Sequence, residues 1–152
     1  MQATQFHQII DFAVEKEKEA VQFYSDLRKH AKFKAHKDML QELENMEKGH
    51  ILTLEKMRSK PLEQKTTKVV DNLKISDYTI PEEDIKPDSY PNILLLAMKR
   101  EEKSNLLYLN LSEKFATEDK ELSDLFANLA AEEAKHKLKF EKIYDSEVLK
   151  DN

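Results

Sequence analysis

The sequence predicts an all-α protein, a bundle of four long helices around one core. Three features point to it. The same apolar stripe, with steps of 3, 4, 3, 4 and 3 residues, occurs four times along the chain, and that spacing keeps one face of an α-helix turned toward a partner. The 152 residues contain a single Gly, and all four Pro fall between residues 60 and 91. Charged residues make up 36% of the chain and are interspersed rather than blocked, as on the solvated faces of long helices.

The first helix is expected over Thr4–Ala31, with Thr4 as N-cap and Ile10, Ala13, Glu17, Ala20, Tyr24 and Leu27 as its stripe. A polar link, Lys32–Ala35, is short enough to return the second helix antiparallel. That helix, His36–Ser59, carries Leu40, Leu43, Glu47, His50, Leu54 and Met57. Residues 60–91 hold Pro61, Pro81, Pro87 and Pro91 and break the pattern. A helix of ~28 residues is ~42 Å long, so a stretch of this length suits a crossover returning along the bundle. Within it, Val69–Ile75 suits a short helix or an extended piece lying on the bundle. The third helix, from Pro91 to Ala116, carries Leu94, Ala97, Glu101, Ser104, Tyr108, Leu111 and Phe115. Thr117 or Asp119 can cap the fourth, which runs to Asp145 with Phe126, Leu129, Glu133, His136, Phe140 and Ile143 on its stripe. The tail from Ser146 to Asn152 is expected to fray. The whole chain, 1–152, reads as one domain.

The net charge of −5 argues against nucleic acid as a partner. The chain has no Cys, which excludes disulfides, thiolate zinc sites, Fe–S clusters and a rubredoxin-type iron within it. The N-terminal residues lack a basic region followed by an apolar one, and the longest apolar run, Ile93–Met98, is too short to span a bilayer. A cytoplasmic protein with no membrane association is expected.

The stripes contain an anomaly. Where Leu or Val is expected stand Glu17, Glu47, His50, Glu101, Glu133 and His136, all at one level of the core. The chain also repeats itself: Glu17 precedes Tyr24 by seven residues as Glu101 precedes Tyr108, and Glu47-Lys-Gly-His50 matches Glu133-Ala-Lys-His136. A buried cluster of four carboxylates and two imidazoles repels itself at low dielectric, and two divalent cations neutralise it. Carboxylates with neutral imidazoles suit Fe(II) or Mn(II). In a Glu-rich chain one Glu-x-x-His arises readily by chance, but the shared rung of four stripes does not. His7, His30 and His36 lack a Glu three residues earlier and read as surface residues. Glu15, Glu19, Glu102 and Glu132 fall on flanking faces, and a phase error of one residue would put Glu102 in place of Glu101. Tyr24 and Tyr108 are either plain core aromatics or hydroxyl donors to a ligating carboxylate across the bundle. Gly49, between the two candidate ligands of the second helix, serves close approach, provides a way in for small molecules, or is neutral.

At these residues the sequence resembles the rubrerythrin branch of the ferritin-like di-iron carboxylate proteins, whose bundles take one Glu from each of two helices and Glu-x-x-His from each of the other two. The phrase Glu17-Lys-Glu-Ala-Val-Gln-Phe-Tyr24 is similar to that family's first ligand segment. The resemblance implies a ferritin-like four-helix bundle with a long crossover between the second and third helices. It implies two iron ions, or manganese or a mixed pair. Glu47 and Glu133 would bridge them, with Glu17 and Glu101 as terminal carboxylates and His50 and His136 one on each metal; no catalytic residue is expected beyond these ligands. It also implies reduction of hydrogen peroxide or reaction with oxygen, and a homodimer. Two departures matter. With no Cys-bearing rubredoxin segment in the chain, electrons are expected from a separate donor protein such as a rubredoxin. Ser104 stands where the family has an additional glutamate that takes part in a redox-linked ligand change. The alternatives are a ferroxidase or iron-handling protein, and a non-catalytic helical bundle for partner binding with a structural metal or none.

Overall fold

The structure is a computed structural model that describes residues 3–60 and 84–148. Four α-helices run over Ala3–His30 (α1), Lys34–Arg58 (α2), Tyr90–Phe115 (α3) and Lys120–Glu147 (α4), with no strand among the described residues. The protein is an all-α, ferritin-like four-helix bundle.

The helix direction follows from two apolar clusters. One gathers Phe6, Ile10 and Ala13 from the start of α1, Leu54 and Met57 from the end of α2, Leu111 and Phe115 from the end of α3, and Leu122 and Phe126 from the start of α4. The other gathers Tyr24 and Leu27, Leu40 and Leu43, Leu94 and Ala97, and Phe140 from the opposite ends of the same helices. So α2 runs parallel to α3, and α1 parallel to α4. The segment between α2 and α3 therefore joins opposite ends of the bundle, a span of about 38 Å for the 25 residues of α2 at 1.5 Å rise. This is the direction the expected crossover requires. Its middle, including Val69–Ile75, lies outside the described residues. The described part, from Asp84 to Ser89, is non-helical, and Ile85 packs on the second cluster.

Within each hairpin, side chains cross between the helices. Arg58 meets Asp11 at 2.6 Å and Arg28 meets Glu44 at 3.4 Å, tying α1 to α2 at either end. Ser112 Oγ donates to Ser123 O at 2.8 Å and Ser123 Oγ to Ser112 O at 2.7 Å, while Asn105 Nδ2 donates to Ala130 O at 2.7 Å, joining α3 to α4.

The helix ends depart from expectation in several places. Helix α1 begins at Ala3, so Thr4 falls inside the first turn rather than ahead of it. Lys34 and Ala35, expected in the link, are helical; both favour helix, and Phe33 stands at the N-cap position without a side-chain bond. Ser89 caps α3, its Oγ accepting from Asn92 N at 3.3 Å, with Pro91 in the first turn. Of Thr117 and Asp119, Asp119 caps α4, accepting from Leu122 N at 3.1 Å. Ser146 and Glu147 are helical rather than frayed, because Val148 packs on the second cluster and holds the last turn. Residues 149–152 lie outside the described set. His30 is exposed, but His7 and His36 are half-buried, and His36 stacks on Tyr90 with ring centroids 3.4 Å apart.

Gly49 faces solvent in the middle of α2, and a Cβ built there meets nothing within 4 Å. Close approach of another element of this chain is therefore not its reason, although glycine costs about 1 kcal/mol against alanine in a helix interior. No helix among the described residues is long and apolar enough to cross a membrane.

Candidate metal centre

Between the two apolar clusters lies a polar level. Each stripe turns its glutamate inward there, and α2 and α4 add a histidine one turn later on the same face. Glu17, Glu47, Glu101 and Glu133 are each at most 2% exposed, and His50 and His136 are buried with them. Glu102 is exposed, which places Glu101 in the cluster and Glu102 outside it. Glu15 and Glu19 are also exposed, and Glu132 is half-buried beside Lys135.

The six residues form two overlapping groups. Glu17, Glu47, His50 and Glu133 make one; Glu47, Glu101, Glu133 and His136 make the other. In each, one donor atom per residue lies within 4.8 Å of all the others. Opposite donors on an ion with bonds of ~2.1 Å stand ~4.2 Å apart, so a closure of a few tenths of an ångström brings either group onto a cation. Glu47 and Glu133 belong to both. His50 Nδ1 lies 3.5 Å from Glu17 Oε2, 3.4 Å from Glu47 Oε2 and 3.2 Å from Glu133 Oε1. His136 Nδ1 lies 3.4 Å from Glu101 Oε2 and 3.7 Å from Glu47 Oε1. The two imidazole rings lie nearly parallel, centroids 6.4 Å apart.

The tyrosines complete the pseudo-two-fold. Tyr24 of α1 donates its hydroxyl to Glu101 Oε1 on α3, and Tyr108 of α3 donates to Glu17 Oε1 on α1. Each bond occupies one carboxylate oxygen and turns the other inward. Those inward atoms, Glu17 Oε2 and Glu101 Oε2, have no hydrogen-bond partner among the described residues, nor do Glu47 Oε1, Glu133 Oε1 and both Nδ1 atoms. Buried polar atoms left unpaired cost free energy and ordinarily have partners. Here they converge, and all are metal donors by type. The residues present therefore fit a pair of divalent cations.

The electrostatics agree. Burial, reinforced by Glu47, pushes the Glu17 carboxyl up to about 8. Burial and the neighbouring Glu101 hold the Glu133 carboxyl well above its ordinary value. Burial opposes charge on His50, but the carboxylates of Glu133, Glu17 and Glu47 around it outweigh that effect and raise the imidazole above its ordinary value. Burial raises both tyrosines, with the adjoining carboxylates adding to it, so they stay neutral donors. The metal-free cluster thus holds protons where cations would neutralise it.

One buried carboxylate was not legible in the stripes. Glu44, three residues before Glu47, is 6% exposed, but it pairs with Arg28 and accepts from Gln41 Nε2 at 2.6 Å and takes no part in the centre. Its only sequence signal is a pair of polar partners, Arg28 and Gln41, on the same helix–helix seam.

Fold and site together define a bundle protein with a buried carboxylate–histidine cluster able to hold metal. Residues 92–152, which include nearly all of α3 and the whole of α4, match the family model described as Rubrerythrin. This match, confined to the second helix pair and the residues after it, supports a rubrerythrin-like assignment within the ferritin-like proteins. No curated protein and no solved structure matches the chain.

Proposed function

We propose that the protein is a di-iron oxidoreductase that reduces hydrogen peroxide, or reacts with oxygen, drawing electrons from a separate donor protein such as a rubredoxin. The observation that carries this reading is the sharing of Glu47 and Glu133 between two four-donor groups. Shared carboxylates are what a closely spaced metal pair requires. Glu47 and Glu133 would bridge, Glu17 and Glu101 would each bind one ion, and His50 and His136 would each supply Nδ1. Iron suits this oxygen-rich, thiolate-free donor set, as does manganese or a mixed pair. When bound, a pair of ferrous ions supplies the two electrons that convert peroxide, with two protons, to two waters. The chain's own part is to hold the donors in register, to fix Glu17 and Glu101 through Tyr108 and Tyr24, and to exclude bulk water with the apolar clusters on either side.

The test is anaerobic. Protein reduced with two ferrous ions per chain, mixed with one equivalent of peroxide, is expected to develop ferric absorption far faster than free Fe(II) at the same concentration. No acceleration over free iron would overturn the reading.

A second reading, ferroxidase or iron handling, is favoured by one observation. Ser104 is buried one turn after Glu101 and offers no carboxylate for a ligand change. Oxidation of many more than two ferrous ions per chain by oxygen, with iron passed on, would select that reading over peroxide reduction.

Tyr24 is a positioning residue in either case. Tyr24→Phe removes the hydroxyl that orients Glu101, and hydrogen bonds of this kind typically weigh about 10–100-fold in metal affinity. Titration of the metal-free variant with Fe(II) is expected to show one ion bound more weakly by that order. Affinity and redox behaviour unchanged from the wild type would leave Tyr24 as a core aromatic only.

A further inference from the structure

The two metal positions look equivalent by sequence, and the surface over them is not. Three of the bundle's four seams carry close contacts between their helices. The α1–α2 and α3–α4 seams are those of the two hairpins, tied by the side-chain bonds described above. On the α1–α3 seam the two tyrosine–glutamate bonds cross inside, and outside Arg100 donates to Lys16 O at 3.3 Å and lies over the Phe23 ring. The remaining seam, α2–α4, carries the two histidines.

On that seam the ends differ. Over His136, Lys139 of α4 reaches Glu42 of α2 at 3.7 Å and bridges the gap. The repeat that matches Glu47 to Glu133 and His50 to His136 also matches Lys139 to Thr53 and Glu42 to Asn128. At the His50 end the bridging pair is therefore replaced by a short side chain and a neutral one. Thr53 does not reach across at all: its hydroxyl turns back to Gly49 O at 3.1 Å. Gly49 adds no side chain, and the space beyond its Cα is open. The consequence shows in the rings. The His50 side chain is 11% exposed and that of His136 is 5%. Both ring nitrogens of His136 are sealed without a partner among the described residues, whereas of His50 only Nδ1 is.

We propose that the α2–α4 seam beside His50, bordered by Gly49 and Thr53, is the route by which divalent cations reach and leave the centre. The ion held by Glu17, Glu47, His50 and Glu133 exchanges with solvent first, and the ion held by Glu47, Glu101, Glu133 and His136 leaves second. The Lys139–Glu42 pair is the latch over the slow position. The proposal rests on the two-metal reading above and adds an order to it.

Metal release tests it without reference to turnover. Protein loaded with Co(II) to about two ions per chain, the count the two groups require, is mixed with excess EDTA, and loss of the cobalt absorption is followed with time. Two phases of equal amplitude are expected. An exposed ion pair weighs about two- to fivefold in such an opening. Lys139→Thr is therefore expected to speed the slow phase by that factor and leave the fast phase alone. Thr53→Lys combined with Asn128→Glu, which installs a latch at the other end, is expected to slow the fast phase by a similar factor. All four positions are exposed, so the variants leave the core intact. Release with a single rate constant would overturn the proposal, as would rates unmoved by either variant. These failures leave the two-metal reading standing. A chain that holds no stoichiometric cobalt would remove both.

Discussion

Glu133→Ala is expected to empty both metal positions at once. Glu133 belongs to both donor groups, through a carboxyl that burial and Glu101 hold well above its ordinary value. Alanine leaves the first group with Glu17, Glu47 and His50 and the second with Glu47, Glu101 and His136, and it removes the carboxylate bridge between them. Glu17, by contrast, belongs to one group only. Elemental analysis of protein from iron-supplemented cells, repeated after anaerobic reconstitution, is expected to give about two irons per chain in the wild type. It should give close to none in Glu133→Ala and about one in Glu17→Ala. Circular dichroism checks that the helices persist, as they should, because alanine favours helix and one unsatisfied buried oxygen is lost. Equal losses in the two variants would show that the carboxylates are not divided into shared and terminal roles. A wild type without stoichiometric metal would leave the cluster as a structural relic and favour the interaction-protein reading.

Removing metal is expected to make stability fall as pH rises, and restoring it to reverse that dependence. The Glu17 carboxyl stands at about 8 in the fold against an ordinary 4.5. A carboxyl raised by folding favours the fold fully below its unfolded value, and that contribution is lost as pH rises toward the folded value. His50, raised by its three carboxylates, acts in the same direction, its contribution being lost at still higher pH. The metal-free protein should therefore melt at a higher temperature near pH 6 than near pH 8.5. Metal binding releases the protons the cluster holds, so its stabilising effect grows with pH. At a hundredfold excess over Kd each ion contributes about 2.7 kcal/mol. Two ions then raise Tm by about 10–20 °C in a chain of this size. Calorimetry with and without Fe(II) under anaerobic conditions, at the two pH values, measures both effects. A Tm indifferent to metal at pH 8.5 would be incompatible with the centre described.

The inward direction of the stripe residues was legible because it depends only on helical period. Glu17, Glu47, Glu101 and Glu133 occupy the same rung of four stripes, and rungs of equal phase meet when helices pack side by side. The same logic separated Glu101 from Glu102 only once the packing phase of α3 was known, since adjacent positions differ by about 100° around the axis. Helix ends were less legible. The last turn of α4 is held by Val148 through a tertiary contact that propensity does not encode, and α2 starts at Lys34 behind an exposed Phe33 that supplies no capping bond. The difference between His50 and His136 was invisible for a related reason. It resides in Lys139 and Glu42, which lie on different helices far apart in the chain. Gly49 could be read three ways from its position, and the empty space beyond it removes one of them.

Each donor group draws from both hairpins: Glu17, Glu47 and His50 with Glu133 in one, and Glu101, Glu133 and His136 with Glu47 in the other. Neither hairpin alone can present a complete set, and a slip of one helix by a single turn carries its donor about 5.4 Å out of reach. On the two-metal reading, occupancy of the centre would therefore report on assembly: only a chain whose two halves had docked in the right register and polarity would keep its ions.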